Sequence, residues 1–398
     1  MKRKIQKSLV IGSIFILLSI VFLPVNGIES QENKEINNNP LQSTQGNTLY
    51  VGGSGPNNYT SIQNAVNDAV DGDTVFVYDD SSPYNEHVLV NKSIILIGED
   101  KNTTLIEGNE GILKLRADNI TISGFTIKRE SHGGIGIDIG GVGHIVIIQN
   151  IITNYDSIYG NSAHDISITE NIFNADYART GIWLDNCNSV IVSNNFINSY
   201  HIVGLNLECC KDIQIFNNEI RSNWCGIYED GTSHDTQIFN NYLANNNYGI
   251  NIYISNLKLY NNTIEKNNYG LVCGGWESLI YSNELKDNGL DIIRGNNKVY
   301  QNNFINDTLK FEYQCNFILK FLLSNFPRLR NIILTIWFKY HTIPIEVDRN
   351  YWENHPSNLP KRINGDIIWY TGFPGHEEKY LVSWYIYDLH PAPEPYDI

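Results

Sequence analysis

Three carboxylates, Asp185, Glu208 and Asp230, each stand four residues after a glycine: Gly181, Gly204 and Gly226. Two residues after those glycines come Trp183 and Tyr228, and two before them Arg179 and Trp224. In an extended chain, residues two and four apart share a face, so aromatic, basic and acidic groups would line one surface. Paired carboxylates about 5 to 9.5 Å apart are the apparatus of glycoside hydrolysis, and several together suit a Ca²⁺ ion. Aromatic faces beside carboxylates also suit a sugar chain, its apolar ring face stacked and its hydroxyls bonded. The plainer alternative is a solvated acidic strip that discourages edge pairing. His144, His164 and His234 are dispersed, drift in phase, and read as surface residues.

A repeat must position these groups. The second residue of an Asn-Asn pair, or a near variant, falls at Asn150, Asn171, Asn195, Asn218, Asn241, Asn262, Asn283 and Asn303. An apolar residue follows two positions later, from Ile152 to Ile305, and another stands three before, from Ile147 to Tyr300. Glycine recurs too, at Gly136, Gly160, Gly181, Gly204, Gly226, Gly249, Gly270 and Gly289. Apolar and polar residues alternate between these marks, as in strands with one buried face. A unit this short cannot fold alone and must stack on its neighbours. The phase therefore predicts an all-β fold, a parallel β-helix solenoid with three strands per coil. Asn tolerates left-handed backbone angles at the turns, and its amide can bond the Asn one coil away. Those eight residues are expected to form a structural ladder.

About ten coils at ~4.8 Å each make a rod on the order of 50 Å. Thr60-Ser61-Ile62-Gln63 fits a capping box. The stripe Ile62, Ala65, Val66, Ala69 and Val70 predicts an amphipathic helix covering the first coil. Ahead of it, Lys2, Arg3, Lys4 and Lys7 precede an apolar run, a pattern that predicts a signal peptide over 1–27, cut after Gly27. An uncleaved anchor is the rival. Residues 28–48 read as a flexible linker, 49–310 as the β-helix, and 311–349 as an apolar and basic insert forming a C-terminal cap or touching membrane. The tail, 350–398, is aromatic and Pro-rich, and its Pro391–Pro395 stretch should run extended along the rod.

A net charge of −15 over 398 residues argues against nucleic acid. An exported monomer at the cell surface fits, with polysaccharide or envelope glycan as partner and membrane contact only through the leader or the insert. The sole Met is Met1, which excludes a Met-rich copper(I) site. Of six Cys, Cys187 and Cys210 share a phase six residues after their glycines, so stacking makes them a disulfide candidate. No CxxC pair or phased His suggests a metal site.

Tyr59-Thr60-Ser61-Ile62-Gln63-Asn64-Ala65, the Gly72-Asp73-Thr74-Val75 turn, Asn91-Lys92-Ser93-Ile94 and the Asn-Asn coils resemble NosD-type right-handed β-helix proteins, of pectin-lyase-like fold. Asn350-Tyr351-Trp352 and the close from His390 to Ile398 resemble them too, whereas 311–349 departs. The resemblance implies a surface protein of a type associated with carbohydrate binding and sugar hydrolysis, in a family named for a copper-site maturation factor. Neither the Asn-Thr-Asp, Asp-Asp, Gly-His-Gly and Arg-Ile-Lys set of polygalacturonases nor an Asp-Pro-His-Asp epimerase motif is present. Binding without catalysis is thus the expectation. A lyase or glycosidase using Asp185, Glu208 and Asp230 is the alternative, and a copper accessory with Cys187, Cys209 and Cys210 the third reading.

Overall fold

Each repeat folds into short strands that pair in parallel with their counterparts one coil away, building three sheets of 13, 13 and 12 strands. This computed structural model describes residues 46–398 apart from 109–110, 130–132, 154, 175–177, 296, 315–345, 357–358 and 372–377. The leader, nearly all of the linker and most of the 311–349 insert thus lie outside the described residues. The first sheet starts at Thr48–Val51 and ends at Glu346–Asp348, and the third runs from Tyr84–Asn85 to Tyr351–Trp352. The second runs from Val88–Val90 to a long hairpin, Lys361–Thr371 with Glu378–Asp388, the one antiparallel pair among the described strands. The stack is close to the ten coils expected, and the surplus comes from its ends.

The interior is a set of aliphatic columns. Ile147, Ile168, Val192, Ile215, Ile238, Leu259, Ile280 and Val299 stack in one, and Ile152, Phe173, Ile197, Ile220, Leu243, Ile264, Leu285 and Phe304 in another. The last step corrects the periodic reading. The rung after Asn283 is Asn302, not Asn303, because Asn283 donates from N and Nδ2 to Asn302 Oδ1 at 3.0 and 2.9 Å. A one-residue slip in a strand exchanges its faces. Tyr300 and Ile305 accordingly leave the core, and Val299 and Phe304 enter it. Asn303 instead clamps the tail, its amide both donating to and accepting from the Tyr396 backbone at 2.8 Å.

The glycine column is similarly revised. Register places Gly136, Ser157, Gly181, Gly204, Gly226, Gly249, Gly270 and Asp291 together, leaving Gly160 and Gly289 out of phase. A Cβ at Gly181 would sit 2.5 Å from the Gly204 carbonyl oxygen and 3.1 Å from the Tyr200 ring. The vacancy admits Tyr200, whose hydroxyl meets Ser157 Oγ at 2.7 Å inside the wall.

The two jobs assigned to Asn fall on different residues. The left-handed turn residue is the one before each rung, and Gln149, Glu170, Ser282, Gln301 and Arg349 fill it as well as Asn194, Asn217, Asn240 and Asn261. The rung itself makes the ladder. Asn195 donates from N and Nδ2 to Asn218 Oδ1, both at 3.0 Å, and Asn218 Nδ2 donates to the Val192 and Phe216 carbonyls. The column begins at Phe125 N, which donates to Asn150 Oδ1, and runs through Asn302 to Asn350. It ends on Asp388, whose carboxylate accepts from the N–H groups of Arg349, Asn350 and His390 and from Trp352 Nε1. All rungs point their donors toward that end, so a carboxylate there complements the aligned dipoles, as an anion does at a helix N-terminus.

At the other end the helix covers Ile62–Asp68 and buries Ile62, Ala65 and Val66. Ala69 is buried beyond it, whereas Val70 is 59% exposed and drops out of the stripe. Ser61 is the N-cap, and Glu86 from a later coil completes it by accepting from the N–H groups of Ile62 and Gln63 and from Ser61 Oγ. No helix among the described residues is long and apolar enough to cross a membrane.

Candidate functional site: the outer face of the second sheet

On the second sheet, Ile182, Leu184, Leu205 and Leu207 point into the core, and the intervening residues form outward rows. One row reads Asp138, Tyr159, Trp183, Asn206, Tyr228 and Asn251 over six coils. Beside it, Asn161, Asp185 and Glu208 are in register. Asp185 and Glu208 are therefore direct neighbours on adjacent coils, as expected. Asp230 is not the third member of a regular line, because its strand ends at Glu229. Its carboxylate turns to Thr232 Oγ1 at 2.6 Å. Glu229, fully buried, accepts from the N–H groups of Gly231, Thr232 and Ser233 and holds that turn, and burial raises its pKa.

The aromatic groups are less alike than their spacing implies. Arg179 is tied to Asp156 by two contacts at 3.0 Å and lies over Trp183, its guanidinium carbon 4.7 Å from the ring centroid. The Tyr159 ring meets the same indole in an edge-to-face arrangement, centroids 5.1 Å apart. Trp183 is thus a covered ring. Trp224 is an open one, 52% exposed and tilted against Tyr248, which stacks on Tyr269 at 4.7 Å. Tyr228 and Tyr248 are half-buried, and burial raises both phenols above their ordinary range, so they stay neutral hydrogen-bonding groups.

Three atoms on this face find no partner: Trp183 Nε1, Asn206 Oδ1 and Asn251 Oδ1. Asn206 is 9% exposed, and its Nδ2 donates to Glu208 Oε1 at 2.8 Å, which leaves the carbonyl oxygen as the free end. Spacing alone missed Asn206 and Asn251. The signal was there, since both lie two residues after a phased glycine, as Trp183 does.

Cys187 and Cys210 stack on adjacent coils as expected but are free thiols, so the disulfide expectation is not met. Each sulfur donates to a backbone carbonyl two residues back, at 3.4 Å to Asp185 and 3.1 Å to Glu208, which turns them into the wall. Cys210 is raised, first by the hydrogen bond to Cys187 and then by burial, and Cys187 is lowered by the same bond. Cys209 is exposed, and Cys225 and Cys273 are buried thiols. The described residues contain no group of three His, Cys, Asp or Glu placed to hold a metal ion. His144 and His164 are exposed as expected, but they meet, ring centroids 5.9 Å apart, around Asp165 Oδ2.

Two further columns escaped the sequence reading. Phe216, Phe239, Tyr260, Tyr281 and Tyr300 stack outside the first sheet at 4.9–5.2 Å, nearly parallel. Their faces are spent on one another, leaving edges to solvent. A second amide ladder, Asn223, Asn246, Asn267 and Asn288, ends on Asp307. Each lies five residues past a rung of the first ladder, a spacing visible in the sequence.

A family model described as "Periplasmic copper-binding protein (NosD)" matches residues 66–246 and 119–321, together well over half of the chain. No relative among curated proteins matches. Among solved structures the chain is similar to ORF18 of Geobacillus virus E2, at 13% identity and TM-score 0.49 over 63% of this chain and 57% of that one. It is similar to the family 28 exopolygalacturonase of Yersinia enterocolitica, at 12% identity and TM-score 0.48 over 64% and 70%. The GH136 lacto-N-biosidase of Eubacterium ramulus follows at 14% identity and TM-score 0.46 over 61% and 64%. The chain spans less than two thirds of the length of the first and third of these.

Proposed function

This chain belongs to the NosD family, and from that premise we propose that it is an extracytoplasmic β-helix scaffold that binds polysaccharide or glycan without transforming it. The extracytoplasmic location rests on the periplasmic description of the family and on the basic-then-apolar leader. The observation that carries the binding reading is the outer face of the second sheet. There an open indole, Trp224, stands just ahead of the strand Cys225–Glu229, at one end of the face, and the Asp185–Glu208 neighbours lie toward the other end. A flat ring with polar groups around it is what a pyranose needs, an apolar face to stack on and partners for its hydroxyls. A glycan array with the secreted chain tests this. Signal on at least one glycan, lost in Trp224→Ala with unchanged thermal stability, supports it. Silence on every glycan removes it.

The register of Asp185 with Glu208 favours a second reading, a glycosidase or lyase, since adjacent carboxylates about 5 Å apart suit retaining hydrolysis. A Ca²⁺ ion across the pair would belong to this reading. Incubation with pectate, alginate and neutral glycans separates the two. New reducing ends or unsaturated products that vanish in Asp185→Asn would establish catalysis.

The family's description also raises copper. The donor set fits poorly: Cys187 and Cys210 are buried and bonded to backbone carbonyls, and Met is missing beyond Met1. Cu(I) titration of the reduced chain against a competing chelator checks this, and tight binding lost in Cys187→Ser would reinstate a copper role.

A further inference from the structure

The aromatic column on the first sheet stops before the sheet does. Its four contacts are nearly parallel and 4.9–5.2 Å apart, so each inner ring has a neighbour on both faces. Tyr300, the last ring, has Tyr281 on one face only. On the next coil Asp348 stands in register with Tyr300, as Glu346 does with Lys298. Val299 and Val347 between them are buried in the core, so these four side chains face out. A carboxylate fills less space than a phenol ring, and a cavity of about 340 Å³ opens against Tyr300 and Asp348. Lys298, Gln301, Glu346 and Arg349 complete its polar lining.

The cavity is open to solvent. Its Lys298, Glu346 and Arg349 side chains are 58%, 69% and 68% exposed. No ring or cation among the described residues lies over the second face of Tyr300. The charges of the lining cancel: Lys298 meets Glu346 at 3.1 Å and Arg349 meets Asp348 at 3.2 Å. His390 Nδ1 holds the other Asp348 oxygen at 2.7 Å. With its cations spent in this way, the lining offers an anion little. Lys298, Gln301 and Arg349 still have N–H groups to give, and Glu346, Asp348 and Gln301 have lone pairs. That set suits a ring with an apolar face and hydroxyls around its edge, whereas an aromatic side chain would leave the polar edge unmet. Ligand sites span about 300–1,000 Å³, so this volume admits a single sugar unit or little more.

We propose that this cavity seats one neutral pyranose unit, stacked on the open face of Tyr300 as the sixth ring of the column. Its hydroxyls donate to Glu346 and Asp348 and accept from Lys298, Gln301 and Arg349. The seat is separate from the Trp224 face. It lies on another sheet, against that sheet's last described strand, and stands whether or not the Trp224 face binds glycan.

The test offers the full secreted chain the methyl glycosides of glucose, galactose, mannose and N-acetylglucosamine, with glucuronate and N-acetyltyrosine amide as contrasts. Lysine acetylation by acetic anhydride, read by mass spectrometry, needs no variant. At saturation at least one neutral glycoside should slow labelling of Lys298 several-fold. Lys258, in the same outward row two coils back, should label as before. Asp348→Phe places a sixth ring in the column from within, and should abolish binding with the melting temperature held. Tyr300→Ala should weaken binding about tenfold, the loss of one stacked face. Equal shielding by glucuronate or by the tyrosine amide would overturn the neutral-sugar assignment. Sugar binding that stands in Asp348→Phe would remove the seat, and so would a Lys298 that no glycoside shields. If Asp348→Phe misfolds, the wild-type footprint still decides. A glycan-array signal lost in Trp224→Ala, with Lys298 unshielded, would remove this seat and keep the parent reading. Shielding of Lys298 beside a silent array of longer glycans would do the reverse.

Discussion

The amide column inside the wall and the outward row of the second sheet come from the same repeat, yet they treat polar atoms in opposite ways. In the column, each Asn Oδ1 accepts from the previous coil and each Nδ2 donates to carbonyls and to the next rung. In the row, Trp183, Asn206 and Asn251 leave atoms unpaired. A group whose neighbours are copies of itself can be satisfied by repetition, and its identity is then fixed coil after coil. A group that changes from Trp to Asn to Tyr cannot be served that way. The contrast separates what holds the rod together from what the rod presents.

The most damaging test of that contrast is Asn218→Leu. It strips the acceptor from Asn195 and removes donors to Val192 O, Phe216 O and Asn241 Oδ1, all in the buried column. Several unmet groups at about 1–3 kcal/mol each predict a loss of roughly 3–6 kcal/mol. Asn206→Leu, on the face, should stay within about 1 kcal/mol of wild type. Urea unfolding of the two variants decides it, and equal losses would erase the distinction.

Asp388 tests whether the column needs its charged end. Five N–H groups converge on its carboxylate, from Arg349, Asn350 (backbone and amide), Trp352 and His390. Asp388→Ala should cost about 3 kcal/mol, concentrated in the tail. Hydrogen exchange should then rise across residues 346–398 and remain protected near Asn195. Uniform loosening of the rod would mean that the closure is not local.

Much of this was legible in the sequence because repetition advertises itself. The period fixed the fold, and Asn150 to Asn283 occupy the rungs that spacing assigned. The reading slipped at Asn302, where the coil shortens to 19 residues from Asn283 and a neighbouring Asn303 offered an equally good letter. Gly160 and Gly289 misled in the same manner, since glycine is frequent enough to imitate a phase. The site was legible only in part. Trp183 and Trp224 look alike by residue type, though one follows and the other precedes its glycine, and what covers Trp183, Arg179 lying over its ring, depends on an ion pair with a different coil.

The second ladder ends differently from the first, which gives a pH test. Asp307 accepts from Asn288 Nδ2 at 2.7 Å and faces Asp291, fully buried where the glycine column gives way. Burial first, and the Asp307 charge second, raise Asp291 well above its ordinary 3.8. A raised acid stabilises the fold fully below its unfolded value and loses that contribution as pH rises through its folded value. Asp291→Asn supplies a permanent donor toward Asp307 and keeps the acceptor for Leu271 N. The variant should match wild type near pH 4 and exceed it toward pH 8, by about 1 kcal/mol from the hydrogen bond alone. A gap in melting temperature that stays constant with pH would show that Asp291 does not carry the proton.

The smallest expected effect concerns thiols, and it probes the wall between column and face. Burial pushes Cys225 up to about 12 and Cys273 to about 11, and Cys187 and Cys210 share their hydrogen bond inside the coil. Alkylation needs an accessible thiolate, so in the native chain Cys209 should label in minutes while these four wait for unfolding. Site-resolved mass spectrometry at pH 8, with and without urea, reads the difference directly. Under non-reducing digestion, a peptide joining Cys187 to Cys210 would contradict the free thiols. Rapid native labelling of Cys225, which pairs in register between Val203 and Tyr248 on the second sheet, would mean that the face opens to reagents. Its polar atoms would then be reached by water.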